Sequence, residues 1–147
     1  MTATITITNP ILRGMNPDPS WIWDDEFQRI VLVTSTFELV PGLPIYVSED
    51  MTCWKHVSNV IDADLARRLL IPFVDDSGGV YAPTLRRIHG KYVIACTIAR
   101  LDDRRAMEGG CTESELMRFH AAEGNFILEA DSIEGPWHGP FWIEGAE

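Results

Sequence analysis

Apolar and polar positions trade places over short runs along the chain, and Gly, Pro, Asn, Asp or Ser interrupts them every few residues. That is the pattern of half-buried strands joined by tight turns. Ser20 to Trp23 predicts a short strand, Asp24-Asp25-Glu26 a turn, and Arg29 to Ser35 a second strand whose Val and Ile content suits a buried ladder. After Pro41-Gly42, Leu43 to Val47 predicts a third strand, Ser48-Glu49-Asp50 a turn, and Trp54 to Val57 a fourth. A second set begins after Tyr81, with Ala82 to Ile88, a His89-Gly90 turn, and Lys91 to Ile98. Phe126 to Ala130 and Trp137 to Ile143 complete it across Ile133-Glu134-Gly135-Pro136. The outer hairpins, one holding Trp54 and the other Trp137, form a faint internal repeat. Two sets of four antiparallel strands suit two propeller blades, although two Trp-containing hairpins are equally compatible with a sandwich.

Helix is the minority. Asp62 to Leu70 carries Leu65, Leu69 and Leu70 with an Arg pair, which predicts a short helix stopped by Pro72. Thr112-x-x-Glu115 reads as a capping box opening a helix through Ala122, with Leu116, Phe119 and His120 on one face. Arg100 to Gly110 reads as an exposed loop and the least ordered stretch.

Composition narrows the function classes. With 147 residues and 46% hydrophobic content the chain can bury a core of single-domain size. A formal charge of −10 disfavours a nucleic-acid groove or an anionic membrane surface, both of which reward clustered Lys and Arg. The pairs Arg67-Arg68, Arg86-Arg87 and Arg104-Arg105 look like solvated surface. Cys53, Cys96 and Cys111 are too few and too far apart for a disulfide framework or zinc knuckle, so free and mostly buried thiols are expected. The first eight residues lack a basic n-region and an apolar h-region, and no stretch approaches the ~20 apolar residues of a membrane span. A soluble, cytoplasmic protein is expected. His56, His89, His120 and His138 share no metal-ligand spacing, and no redox or nucleotide cofactor is indicated. G-x-S-x-G, H-E-x-x-H, Walker and dinucleotide signatures are absent, and Gly78-Gly79 is too short to cradle a phosphate.

One carboxylate stands out. In Asn16-Pro17-Asp18-Pro19, two prolines clamp the backbone and predict that Asp18 sits on a stiff, extended turn just ahead of an apolar run. Taken alone, the tetrapeptide reads as a turn; a rigid carboxylate is also what acid/base chemistry needs.

The text around Asp18 resembles glycoside hydrolase family 43, the five-bladed β-propeller β-xylosidases and α-L-arabinofuranosidases. The blocks carrying the resemblance are Asn9-Pro10-Ile11-Leu12, Asn16 to Ser20, Val33 to Glu38, Pro41 to Ile45, Ser48-Glu49-Asp50 with Trp54, Gly78 to Thr84, and Gly124-Asn125-Phe126 with Gly135-Pro136-Trp137. They fall in the family's order over nearly the whole chain. The resemblance implies an all-β fold: a partial five-bladed propeller of about two four-stranded antiparallel blades with one or two short helical insertions. It also implies hydrolysis of O-glycosyl bonds in xylose- or arabinose-containing oligo- or polysaccharides by an inverting mechanism. Asp18 matches the general base. Phe37 and Tyr81 match aromatics lining the sugar pocket, Tyr81 standing where the family usually carries Trp, and such rings stack on the apolar face of a sugar. Trp54 and Trp137 are expected to pack at blade edges.

In the family the general acid and the carboxylate that tunes it follow the matched region, and the sequence stops at Glu147. Asp102, Asp103, Glu113, Glu115 and Glu123 match no family motif. Residues 1–147 are therefore expected to be the N-terminal part of a truncated catalytic domain, nearly inactive alone and able to self-associate through open blade edges. A non-catalytic carbohydrate-binding remnant and an unrelated β-rich interaction module are the competing classes.

Overall fold

The computed structural model describes residues 5–145. Part of the leaderless reading rests on residues 1–4, which lie outside the described residues, as do 146–147 at the end of the matched region. The first sheet contains β1 (Ser20–Asp24), β2 (Arg29–Val33), β3 (Gly42–Ser48) and β4 (Lys55–Ile61), hydrogen-bonded in chain order. The second contains β5 (Val74–Ile88), β6 (Lys91–Leu101), β7 (Asn125–Ala130) and β8 (His138–Trp142), again in chain order. Every neighbouring pair is antiparallel, so the chain is two consecutive four-stranded meanders, the plan of two blades.

Each hairpin follows from its sequence. The His89-Gly90 turn between β5 and β6 has positive φ at both residues, +50° and +85°, the geometry whose twist suits a two-residue hairpin. Alternation along β6 puts Tyr92, Ile94, Cys96 and Ile98 inside and leaves the residues between them half-covered. Along β2, Ile30 to Val33 are all buried, as a strand covered on both faces requires. One contiguous core joins Val31, Val33, Leu43 and Ile45 of the first sheet to Leu85, Tyr92, Ile94 and Leu128 of the second.

Polar contacts stitch the sheets together. The Asp24 carboxylate at the end of β1 is fully buried; Arg87 Nη1 donates to it at 2.8 Å, the Tyr92 hydroxyl also donates to it, and Arg29 Nε lies at 3.7 Å. Arg87 thus belongs to a buried inter-sheet cluster rather than the solvated surface its Arg-Arg context suggested. The solvated guanidinium expected there gives way because a buried carboxylate must find a cation. Ser58 Oγ donates to the Ile133 carbonyl at 2.6 Å, a second link between the sheets.

Three short helices lie among the described residues, more than the one or two expected: α1 (Ala63–Arg68), α2 (Asp103–Glu108) and α3 (Glu113–Ala121). None is long and apolar enough to cross a membrane. Asp62 caps α1, and a 3₁₀ turn over Ile71–Phe73 holds Pro72. The Thr112/Glu115 capping box opens α3 as its spacing predicts. Leu116 and Phe119 are buried, but His120 points out and meets Asp103 at 2.9 Å. The loop expected over Arg100 to Gly110 is instead the end of β6 followed by α2, whose cap is the Asp102 carboxylate accepting from Arg105 N. Ala106 anchors that helix in the core, a single small apolar contact too slight to register as periodicity. Of the thiols, Cys96 and Cys111 are buried as expected, and Cys53 is exposed.

Candidate active site

Pro17-Asp18-Pro19 runs past the end of β2, and Ser35 clips it there. Ser35 N donates to the Pro17 carbonyl at 3.0 Å, and Ser35 Oγ donates to Asp18 Oδ2 at 2.6 Å. Ser35 is itself fully buried, so the hydroxyl that orients the carboxylate is fixed by packing. Asp18 is exposed; Ser35 holds its Oδ2, and its Oδ1 has no hydrogen bond among the described residues. Its backbone is not the extended turn expected: φ is +49°, in the left-handed region. The following proline disfavours the right-handed helical well, and Asp is among the few residues that occupy the left-handed one at modest cost.

Two positions beyond Ser35, Phe37 leaves the ladder with φ of +53° and forms an isolated bridge to Val80 of β5. Phe37 N donates to the Val80 carbonyl at 3.2 Å and Val80 N returns a bond to the Phe37 carbonyl at 2.9 Å. Gly79 makes this approach possible: its φ is +97°, and a Cβ there would lie 2.3 Å from the Phe37 carbonyl oxygen. The bridge sets the half-buried Phe37 and Tyr81 rings edge to face, with centroids 5.0 Å apart and planes at 62°. Beyond Tyr81 the ladder slips, Tyr81 pairing with Thr97 but Thr84 with Ala95, so Ala82 and Pro83 bulge opposite Cys96. An open hollow of about 340 Å³ beside the bulge is lined by Ala82, Ala95, Cys96, Thr97, Asn125 and Ile143.

The three residues singled out from sequence are thus linked, though not all in contact. Phe37 and Tyr81 touch. Asp18 joins them through Ser35, and its charge also reaches Cys96, whose thiol donates to the Tyr81 carbonyl at 3.0 Å. Burial, the main cause, pushes the Cys96 thiol up to about 12, which makes it a hydrogen-bond donor and not a nucleophile at neutral pH. Asp18, Phe37 and Ala82 all have left-handed backbone, a conformation found at eight other non-glycine residues among those described.

Ser35 and Gly79 are the residues whose roles sequence reasoning missed. A signal existed for Ser35: three hydroxyl residues, Thr34-Ser35-Thr36, close an apolar strand, and most buried hydroxyls find partners, as Ser35 and Thr36 do while Thr34 Oγ1 has none among the described residues. Three of the five carboxylates named in the 98–124 segment serve elsewhere. Asp102 caps α2, Asp103 meets His120, and Glu115 closes the capping box of α3. Among the described residues, no group of three or more His, Cys, Asp or Glu could hold a metal ion.

Comparison with known proteins identifies the architecture. The model of glycosyl hydrolases family 43 matches residues 7–147. Curated relatives include a non-reducing end alpha-L-arabinofuranosidase of Bacteroides ovatus, 36% identical over 94% of this chain and 22% of its own length. A xylan 1,3-beta-xylosidase of a Vibrio species is 34% identical over 93% of this chain and 22% of its own. Among solved structures, the GH43B protein of the Bacteroides ovatus xyloglucan PUL superposes with a TM-score of 0.72 at 33% identity, over 95% of this chain and 23% of that one. A xylan beta-1,4-xylosidase from Bacillus halodurans gives 0.70 at 28% identity, over 96% and 24%. The chain belongs to glycosyl hydrolases family 43. Its two sheets are two blades of a partial β-propeller, and it spans about a fifth of the length of the curated relatives it matches.

Proposed function

We propose that this chain carries the base half of a glycosidase site acting on O-glycosyl bonds of xylose- or arabinose-containing oligo- or polysaccharides, with inversion of configuration. The observation that carries the reading is the Ser35 Oγ to Asp18 Oδ2 bond of 2.6 Å, which ties one oxygen and leaves the other to take a proton from water. The Phe37–Tyr81 pair supplies aromatic surface for a sugar ring two positions along the chain from that serine. The names of the relatives, xylosidase and arabinofuranosidase, support that substrate class.

Inversion needs a second carboxyl group roughly 6.5–9.5 Å from the base, leaving room for the attacking water. Asp102, Asp103 and Glu115 of the insert are already engaged in caps or an ion pair, and Glu113 and Glu123 match no family motif, so no acid partner for Asp18 is assigned among the described residues. Loss of general-acid help costs about 10² to 10⁴ in rate, so the isolated chain should turn over very slowly. This same deficit favours a second reading, a carbohydrate-binding unit that stacks sugar without cleaving it.

Two assays on the 147-residue chain separate them. Hydrolysis of aryl xyloside and aryl arabinofuranoside that disappears in Asp18→Asn supports the enzyme; binding of xylo-oligosaccharide with no turnover in either protein supports the binding unit. No binding and no turnover contradict both. Trp21 and Trp23, exposed side by side along β1, leave an apolar blade face open, and self-association through it is part of the proposal. Size-exclusion chromatography giving a concentration-independent monomer contradicts that part.

A further inference from the structure

Tyr81 is held at both ends, and only one of the holds follows from its own side chain. Its hydroxyl donates to the Ser77 carbonyl four residues back along β5. Its main-chain carbonyl borders the Ala82–Pro83 bulge, where two residues face one and regular ladder bonding stops. Pro83 has no N–H to offer, and Ala82 is turned into the left-handed region with φ of +45°. The residue opposite the bulge is Cys96, and its thiol donates to the Tyr81 carbonyl at 3.0 Å. The Cys96 side chain is buried, and its sulfur lies 3.9 Å from the carbonyl of its neighbour Thr97, farther than from the Tyr81 carbonyl.

We propose that Cys96 is a positioning residue: its S–H bond across the bulge sets how far the Tyr81 ring stands from Phe37 and the mouth of the Asp18 site. The significance for sugar rests on the glycosidase reading above; the geometric claim does not. A bulge re-aims the side chain beside it, and something must fix the new aim once ladder bonds are lost. A sulfhydryl does so with one weak donor that fits the narrow space between β5 and β6. Cys111, the other buried thiol, lies near Arg67 and Glu115 and has no part in this contact.

The test uses the 147-residue chain labelled with 3-fluorotyrosine, which gives signals for Tyr46, Tyr81 and Tyr92, assigned by single Tyr→Phe changes. Cys96→Val removes the donor and keeps apolar bulk, whereas Cys96→Ser keeps a donor. The expected result is that the Tyr81 fluorine signal moves or broadens in Cys96→Val, stays near its wild-type position in Cys96→Ser, and is unmoved in Cys111→Val. An unmoved Tyr81 signal in Cys96→Val overturns the proposal, as does equal displacement in the Val and Ser variants, which would mean that bulk alone matters. In parallel, xylo-oligosaccharide titration should weaken by about fivefold in Cys96→Val, the worth of one neutral hydrogen bond, and recover in Cys96→Ser. If the wild-type chain binds no sugar, the glycosidase reading falls while the fluorine experiment still decides the role of Cys96.

Discussion

In the first blade the site is fastened by side chains: a buried serine hydroxyl grips the Asp18 carboxylate, and the Thr36 hydroxyl accepts from Leu43 N at 3.3 Å just behind Phe37. In the second blade it is fastened by main chain: Gly79 lets the Phe37 backbone close onto Val80, and a bulge turns Tyr81 toward Phe37. The difference has a consequence for what each blade tolerates. A hydroxyl grip is lost one bond at a time, whereas a main-chain contact between blades fails when a single added carbon keeps the backbones apart.

That contrast can be broken at several points. The largest effect is expected where both blades share one cluster. Arg87→Met leaves the fully buried Asp24 without its closest cation, 2.8 Å away, with only Arg29 at 3.7 Å and the Tyr92 hydroxyl to offset its charge; breaking a buried pair costs up to about 3–5 kcal/mol. Denaturant unfolding should show the loss as a lower midpoint; an unchanged midpoint means the blades are not held by this cluster. Gly79→Ala comes next. A Cβ 2.3 Å from the Phe37 carbonyl oxygen, at a φ of +97°, should open the Phe37–Val80 bridge at a cost of about 1–3 kcal/mol for the strain alone. Faster hydrogen exchange at the Phe37 and Val80 amides, with Ser35 N unaffected, would confirm that the two fastenings are independent.

The smallest effect lies in the turn after β3. Hydrogen bonds from the Thr52 hydroxyl and then from the Cys53 and Thr52 amides hold the exposed Asp50 carboxylate down to about 2. A depressed carboxylate stabilises the fold above its unfolded pKa and loses that contribution as pH falls through the folded value. The turn should therefore stay intact through pH 4 and loosen toward pH 2, and Asp50→Asn should remove this dependence. Amide shifts of Thr52 and Cys53 followed against pH provide the measurement; a transition well above pH 4 in the wild-type chain contradicts the assignment.

Most of the strand plan was legible in sequence because short apolar, β-branched runs bounded by turn residues mark strands, as in Lys91 to Ile98 after the His89-Gly90 turn. Boundaries were less so. β5 begins at Val74, seven residues before Tyr81, and its start was hidden because Asp75 to Ser77 are exposed and carry no apolar periodicity even though they lie in the strand. α2 escaped notice since it buries a single alanine and leans on an Asp102 cap that looks like any other loop aspartate. Family resemblance marked Asp18, Phe37 and Tyr81, but the means of holding them was invisible. The Ser35 grip spans 17 positions, and the Gly79 contact depends on a left-handed backbone that no local pattern announces. Two prolines restrict the Asp18 backbone, yet they do not decide between an extended and a left-handed turn. In the fold, the hydrogen bonds from Ser35 hold the left-handed one.

The most direct test of the Asp18 site is a map of amide shift changes on adding xylo-oligosaccharide or arabino-oligosaccharide to the isotope-labelled chain. The account predicts changes concentrated at Asp18, Ser35, Phe37 and Tyr81, weakened when Phe37 or Tyr81 is replaced by alanine. Changes confined to other surfaces, or none at concentrations that saturate a family relative, would contradict it.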